Sequence, residues 1–281
     1  MTFVTSTSLL NDRLQRFAPQ VAAVAGGQIG YRQAGGQRIS HVLLHGIGSA
    51  SGSWLMQLEA AHSNPVNGLL AWDAPGYSIS SPVASSQPYA DEYAAKLWAW
   101  LDALDITHPV TLVGHSLGAL MATRAAIERP AQVARLVLLA PAQGYARVSA
   151  AERDKKLNDR LQLLADLGAI GLGQQRGAGM VSPNAPPELA AYAKRMMSQI
   201  NPHGYTQAAH LLAGGDLLTD LAQVQCLITV ASGQLDNATP MAACQAVAAA
   251  AKTPWLDLGH VGHACALEAA TQVNKILNLT N

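Results

Sequence analysis

A chain of 281 residues, 49% hydrophobic and 13% charged, can bury a large core as one domain or as one domain carrying a sizeable insertion. Its 18 basic and 18 acidic residues cancel and are scattered, which leaves no electrostatic footprint for nucleic acid or an anionic membrane. Cys226, Cys244 and Cys265 are odd in number and lack CxxC spacing, which argues against a disulfide framework or zinc site and for a reducing compartment. The opening segment MTFVTSTSLLNDRLQRF lacks a basic leader before a long apolar run, and no uncharged apolar stretch is long enough to span a bilayer. The expectation is a cytoplasmic protein, with the oligomeric state left open.

In chain order, Gly26-Gly27 and Gly35-Gly36 look like hairpin turns and are too isolated to cradle phosphate. HVLLH, residues 41–45, is a short apolar strand ending at a Gly-rich turn, and GLLAWDAPG, residues 68–76, repeats that shape. DEYAAKLWAWLDAL, residues 91–104, has apolar residues at helical spacing and acidic residues in its first turn. PVTLVGH is the next strand, and LGALMATRAAIERP a helix stopped by Pro130. VARLVLLAPA (133–142) and QCLITVASG (225–233) are further strands, MAACQAVAAAAKTP a helix, WLDLGH a last strand and ALEAATQVNKILNL a closing helix. Continuous apolar strands separated by helices imply an α/β fold, a mostly parallel doubly wound sheet covered on both faces.

Residues 144–215 break this rhythm. They lose the strands and gain charge, glycine and helix formers in SAAERDKKLNDRLQLLADLGAI, PPELAAYAKRMMSQI and GYTQAAHLLAGG, with GLGQQRGAGMVSPNAPP as a loose segment after the first. The expected organisation is a core of residues 1–143 and 216–281 with 144–215 as an inserted helical cap over the ends of the strands. The Arg195-Met196-Met197 run reads as packing between cap and core.

Gly114-His115-Ser116-Leu117-Gly118 fits G-x-S-x-G in the context that motif requires, a strand before and a helix after. A sharp turn there would leave no room for bulk at Gly114 or Gly118 and would project Ser116 into the crevice. A serine hydroxyl needs a base to accept its proton, and the base needs an acid to fix its tautomer. In this order both follow the serine, each beyond a later strand: Asp236 after 227–231, then His260 or His263 after the last strand. Leu117, at the helix start, offers one backbone N–H to an oxyanion, and the loop His45-Gly46-Ile47-Gly48 the other. Losing one such donor costs about 3–4 kcal/mol of transition-state stabilisation.

LLHGIGSASGSW, WDAPGYSIS, GHSLG, SGQLDNATP and GHACALE, in that order, make the chain resemble the α/β-hydrolase superfamily over nearly its whole length outside the insertion. The resemblance implies the α/β-hydrolase fold and a Ser-His-Asp triad of Ser116, His263 and Asp236 acting without cofactor or metal. His263 is favoured because Gly-His, four residues and a Glu, here Glu268, is the family spacing, which leaves His260 as a loop or lining residue. Asp236 fits the family's Gly-x-x-Asp. Its rivals Asp216 and Asp220 read as solvated or helix-starting charges, and Asp257 lies within the strand before His263. The resemblance points to the Ile47 N–H as the second oxyanion donor, with Gly48 the fallback. His45 is then a brace for the Gly46–Gly48 loop, His115 a packed neighbour of the serine, and Trp54 with Asp73–Tyr77 the pocket floor and a turn. Ser78 departs from the family, which commonly has glycine there.

The expected activity is hydrolysis of a small or medium, mainly apolar ester or lactone through an acyl-enzyme. The activity should fall at acid pH, since His263 must be neutral to act as base. The alternatives are a carbon–carbon bond hydrolase of ring-cleavage products or a perhydrolase or haloperoxidase-like enzyme. His115 and GIGSAS, in place of that carbon–carbon branch's asparagine and proline, favour ester or lactone cleavage. Arg147, Arg153, Arg160, Arg176 and Arg195 are available should the substrate carry a carboxylate.

Overall fold

Strands that are apolar on both faces need a helical layer on each side, and the chain builds both layers. The computed structural model describes residues 6–64 and 66–280; the first residues of the opening segment, 1–5, lie outside the described residues. The chain begins with α1 (Ser6–Gln15), β1 (Gln20–Val24), β2 (Gly27–Gly35), β3 (Ile39–Leu44), α2 (Leu55–His62) and β4 (Gly68–Trp72). It continues with α3 (Ala90–Ala103), β5 (Val110–His115), α4 (Gly118–Glu128) and β6 (Val133–Leu139). The helical insertion holds α5 (Ala150–Arg176), α6 (Pro187–Ser198) and α7 (Pro202–Gly214), and α8 (Leu217–Asp220) follows it. The core closes with β7 (Leu227–Ser232), α9 (Met241–Ala250), β8 (Trp255–Asp257), α10 (Cys265–Glu268) and α11 (Ala270–Ile276).

The strands form one sheet in the order β1-β2-β4-β3-β5-β6-β7-β8. Both pairs that include β2 are antiparallel, and every pair from β4 to β8 is parallel. Side chains alternate between the two layers as strand geometry demands. Val42, Leu44, Leu70, Trp72, Leu136 and Leu138 join the core under α3 and α4. Leu43, Leu69, Ala71, Val113, Val137 and Leu139 join the core under α2 and α11. The order runs from β3 to β4 on one side and to β5 on the other, so the loops leaving β3 and β5 diverge and open a crevice at their carboxyl ends.

Close backbone approaches fasten the insertion. A Cβ on Gly173 would stand 2.6 Å from the Lys194 carbonyl oxygen, so α5 and α6 meet through a small residue. A Cβ on Gly204, in the first turn of α7, would stand 2.0 Å from the carbonyl oxygen of Gly76 in the turn after β4. In the middle of α5, Gly168 (φ 60°, ψ −179°) breaks the helix.

Several elements depart from the sequence expectations. Helices α1 and α2 and strands β1 and β2 carry no clear period; QVAAV and GQIGYRQAG gain their structure from pairing in the sheet. Gly26-Gly27 does turn the β1–β2 hairpin, whereas Gly35-Gly36 does not turn one, because β2 pairs with β4 and the chain leaves it to reach β3 beyond. The loose segment is helical as far as Arg176, since Leu172 and Gly173 are buried against neighbouring elements. The closing helix is broken at Ala269 (φ −105°, ψ 39°), and the last strand is three residues long. Ser78, the departure from the family's glycine, sits at φ 50°, the left-handed conformation that glycine adopts without strain.

Candidate active site

Ser116 follows the last residue of β5 and precedes α4, with φ at 52°. A non-glycine residue in that region is strained, and strain persists only where the surroundings fix it. Here its N–H donates to the Leu139 carbonyl at 3.0 Å, and its carbonyl accepts from the amides of Ala119 (3.0 Å) and Ala142 (3.1 Å). The flanking glycines are required by space. A Cβ on Gly114 would lie 2.5 Å from the Gly118 carbonyl oxygen, and one on Gly118 only 2.2 Å from that of Leu44.

Asp236 and His263, brought from loops after β7 and β8, meet in the same region. The His263 Nδ1–H donates to Asp236 Oδ2 at 2.9 Å, which leaves Nε2 as the lone-pair end of the neutral ring. Asp236 Oδ1 accepts the N–H groups of Ala238 (2.8 Å) and Thr239 (2.9 Å), a turn in which the carboxylate replaces a backbone acceptor. The Thr239 hydroxyl lies 2.7 Å from Asp236 Oδ2 and 3.0 Å from the Ala140 carbonyl oxygen. Burial alone would raise the Asp236 carboxyl, yet the hydrogen bonds from His263 and Thr239 hold it below the ordinary carboxylate range. Ser116 and His263 line one cavity, although no hydrogen bond joins their side chains among the described residues. Such bonds are often long before substrate binds.

The loop carrying His263 is fixed from two sides. His115 donates from Nε2 to the His263 carbonyl oxygen at 2.8 Å, and the two rings lie 4.8 Å apart. Burial, and then repulsion from His263, pushes His115 down to about 3, so it stays neutral. Glu268 Oε2 accepts the N–H of Gly262 at 2.9 Å and of Ser182 in the insertion at 2.8 Å. The spacing of Glu268 from His263 thus has a physical purpose: its carboxylate ties the histidine loop to the insertion.

The loop after β3 is held by its carbonyl groups. His45, 1% exposed, donates from Nδ1 to the Gly46 oxygen at 2.8 Å and accepts the Ala74 N–H on Nε2 at 3.0 Å. Ser49 adds its N–H (3.2 Å) and hydroxyl (3.1 Å) to the same oxygen, and the Tyr77 hydroxyl donates to the Ile47 oxygen at 2.8 Å. In a trans peptide the N–H points opposite to the C=O, so anchoring the Gly46 oxygen turns the Ile47 N–H the other way. Among the described residues neither the Ile47 nor the Leu117 amide donates to a protein acceptor, though Leu117 is buried. The unpaired amide of buried Leu117 calls for an explanation, and both residues line the cavity.

That cavity, of about 560 Å³, is bounded on the core side by Gly46–Gly48, Trp54, His115 and Ser116, and on the other by the insertion. Leu163, Leu172, Met180, Met196, Met197 and Leu212 make the insertion side largely apolar. Trp54 is buried edge-on to His115, and a Cβ on Gly48 would stand 2.6 Å from Met197 Cε. The structure leaves the rivals apart from this cluster. His260 is exposed and outside the cavity lining. Asp257 accepts from Gln234 and Gly259, and Asp216 caps α8. Asp220 is neither solvated nor helix-starting: it ends α8, buried and paired with Arg124 at 2.8 Å. Sequence reasoning passed over Thr239, for which the spacing Asp236-x-x-Thr239 was the available signal; it placed Tyr77 in the Asp73–Tyr77 turn, but nothing marked its hydroxyl as the donor to the Ile47 oxygen. Among the described residues no group of His, Cys, Asp and Glu is arranged to hold a metal ion, and no helix is long and apolar enough to cross a membrane.

Comparison with known proteins adds an independent line. A model of the alpha/beta hydrolase family matches residues 42–276. The (E)-2-((N-methylformamido)methylene)succinate hydrolase of Acinetobacter baylyi is 26% identical over 247 residues, 84% of this chain and 88% of the relative. The pimeloyl-(acyl-carrier protein) methyl ester esterase of Photobacterium profundum is 29% identical over 213 residues, 74% of this chain and 80% of the relative. The crystal structure of the enol-lactonase from Burkholderia xenovorans LB400 superposes with a TM-score of 0.80 at 20% identity, over 92% of this chain and 99% of that one, a likeness of fold.

Proposed function

Since the chain belongs to the alpha/beta hydrolase family and is a hydrolase, we propose that it cleaves a small or medium, mainly apolar ester or lactone with Ser116 as nucleophile. One observation carries this reading. A serine forced to positive φ shares a cavity with a histidine whose Nδ1 end is occupied by a carboxylate. In the proposed reaction Ser116 Oγ attacks the carbonyl carbon as His263 Nε2 takes its proton, and Asp236 orients the ring and stabilises its charged form. The N–H groups of Ile47 and Leu117 bind the developing oxyanion; their lack of any protein acceptor supports that role. His263 returns the proton to the leaving alkoxide, which departs to give the acyl-enzyme. Water deprotonated by His263 then attacks the acyl carbon, and Ser116 leaves with the proton.

In this reading His45, Gly46 and Gly48 shape the oxyanion loop, and His115 and Trp54 support the site. Residues 144–215 act as the cap that makes the pocket apolar over a core of 1–143 and 216–281. The partner is a small carbonyl compound in the cytoplasm, and no cofactor takes part. A relative named as a methyl ester esterase supports the ester class.

The test is a panel of p-nitrophenyl esters, lactones and dienone acids with wild type and Ser116→Ala, together with labelling by a fluorophosphonate. Turnover should fall at least about 10⁴-fold in the variant, and the label should sit on Ser116. Near-wild-type turnover by Ser116→Ala would overturn the assignment, and cleavage of the dienone acids alone would move it to carbon–carbon bonds.

A further inference from the structure

The insertion brings cations towards the cavity, and the structure engages most of them elsewhere. Arg147 bonds to Asp216 at 2.9 Å, Arg153 stands 3.6 Å from Asp154, and Arg195 faces a separate cavity beside α1. Lys156 is paired with Glu152 at 3.4 Å, Asp159 turns to Lys155 at 2.5 Å, and Arg176 is exposed at the rim. Arg160 differs. It lines the cavity, and its hydrogen-bond partners are neutral: the hydroxyl of Tyr205 at 2.9 Å from Nη1 and that of Tyr145 at 3.5 Å from Nη2. Its Nε is sealed from solvent without a partner, and among the described residues no carboxylate forms an ion pair with it. A half-buried cation without a counter-charge is costly, and neutral hydroxyls offset only part of that cost.

We propose that Arg160, flanked by the Tyr205 and Tyr145 hydroxyls, is the subsite for a carboxylate carried by the substrate. The substrate class is then an ester or lactone bearing a free acid group apart from the scissile carbonyl. The fork of the guanidinium, only partly used by the tyrosines, matches the two oxygens of a carboxylate. The cleavage rests on the serine-hydrolase reading above; the binding does not.

The first test needs no turnover. Hexanoate and hexanamide are titrated calorimetrically into wild type and Arg160→Gln. Wild type should bind the acid about 30-fold more tightly than the amide, the advantage of a charge-assisted pair, and Arg160→Gln should abolish that preference. Equal binding of acid and amide by wild type, or a preference that survives in Arg160→Gln, overturns the proposal. If Arg160→Gln does not fold, Arg160→Lys keeps the charge without the fork and should reduce the preference to a few-fold. An undiminished preference in that variant overturns the proposal too. Steady-state kinetics then compare monophenyl adipate with phenyl hexanoate. The ratio of their kcat/KM values should favour the acid ester about 30-fold in wild type and approach one in Arg160→Gln; no preference in wild type overturns the substrate class. If neither ester is cleaved and fluorophosphonate leaves Ser116 unlabelled, the hydrolase reading fails, while the calorimetric result for Arg160 stands by itself.

Discussion

Gly118→Ala tests whether the spacing between β3 and α4 sets the geometry of the anion site. The added Cβ would lie 2.2 Å from the Leu44 carbonyl oxygen, 2.7 Å from its carbon and 2.9 Å from the His45 oxygen. All three are main-chain atoms, so no side chain can swing aside. Ordinary contact begins at 3.4 Å, and the strand end and helix start must therefore part by about 1 Å. That gap opens between the two proposed oxyanion donors, Leu117 on the helix side and Ile47 just past His45 on the strand side. Overpacking of this order costs roughly 1–3 kcal/mol of stability, and a 1 Å misplacement of reacting groups costs about 10²-fold in rate. Urea unfolding measures the first, and kcat for a p-nitrophenyl ester, taken well below the unfolding transition, measures the second. A folded Gly118→Ala protein with kcat within about 3-fold of wild type would refute the claim that this contact positions the donors.

The Asp236 hydrogen bonds and the buried histidines carry two more expectations. Thr239→Val keeps the shape but removes the hydroxyl 2.7 Å from Asp236 Oδ2, and should cost about 1.5–3 kcal/mol at pH 7 in denaturant titrations. The sign with pH follows from Asp236, whose folded carboxyl is depressed: its contribution is present above the ordinary carboxylate range and lost as pH falls through the folded value. The penalty of Thr239→Val should therefore shrink in strong acid. Burial pushes His41 down to about 4 and His115 to about 3, from an ordinary value of 6.5. The unfolded chain thus takes up protons near pH 6.5 that the native state refuses, and stability is lost as pH falls below 6.5 towards those values. Two such groups give a slope of roughly 3 kcal/mol per pH unit near pH 5, and His41→Asn should remove about half of it. A flat profile between pH 6 and pH 5 would contradict their burial as neutral rings.

The central parallel strands were legible because each is a largely apolar run bounded by turn residues. The serine turn was legible because its constraint is local: Gly114 and Gly118 flank the one position at positive φ. Asp236 and His263 could be placed only through the spacing of the family, since nothing in their own neighbourhoods marks a convergence that the sheet order creates. The antiparallel β1 and β2 escaped notice because glycine and glutamine dilute their pattern, and only pairing makes them strands. Thr239 and Tyr77 act on groups distant in space or hidden in the backbone. Arg160 stood among five similar arginines in the sequence; the company of two tyrosine hydroxyls in the cavity separates it from the rest, and that is not visible without the fold.

The main-chain contact between Gly204 and Gly76 leaves no side chain between the first turn of α7 and the core. That end of the insertion is welded in place, because any outward swing of α7 would have to peel one backbone from another. The segment between α5 and α6 is held in the same way, since a Cβ on Gly262 would stand 2.7 Å from the Ser182 nitrogen. Anyone wishing to reshape the roof of the pocket should therefore work near the break at Gly168, where nothing lies within 4 Å of an added Cβ, and leave both anchors untouched.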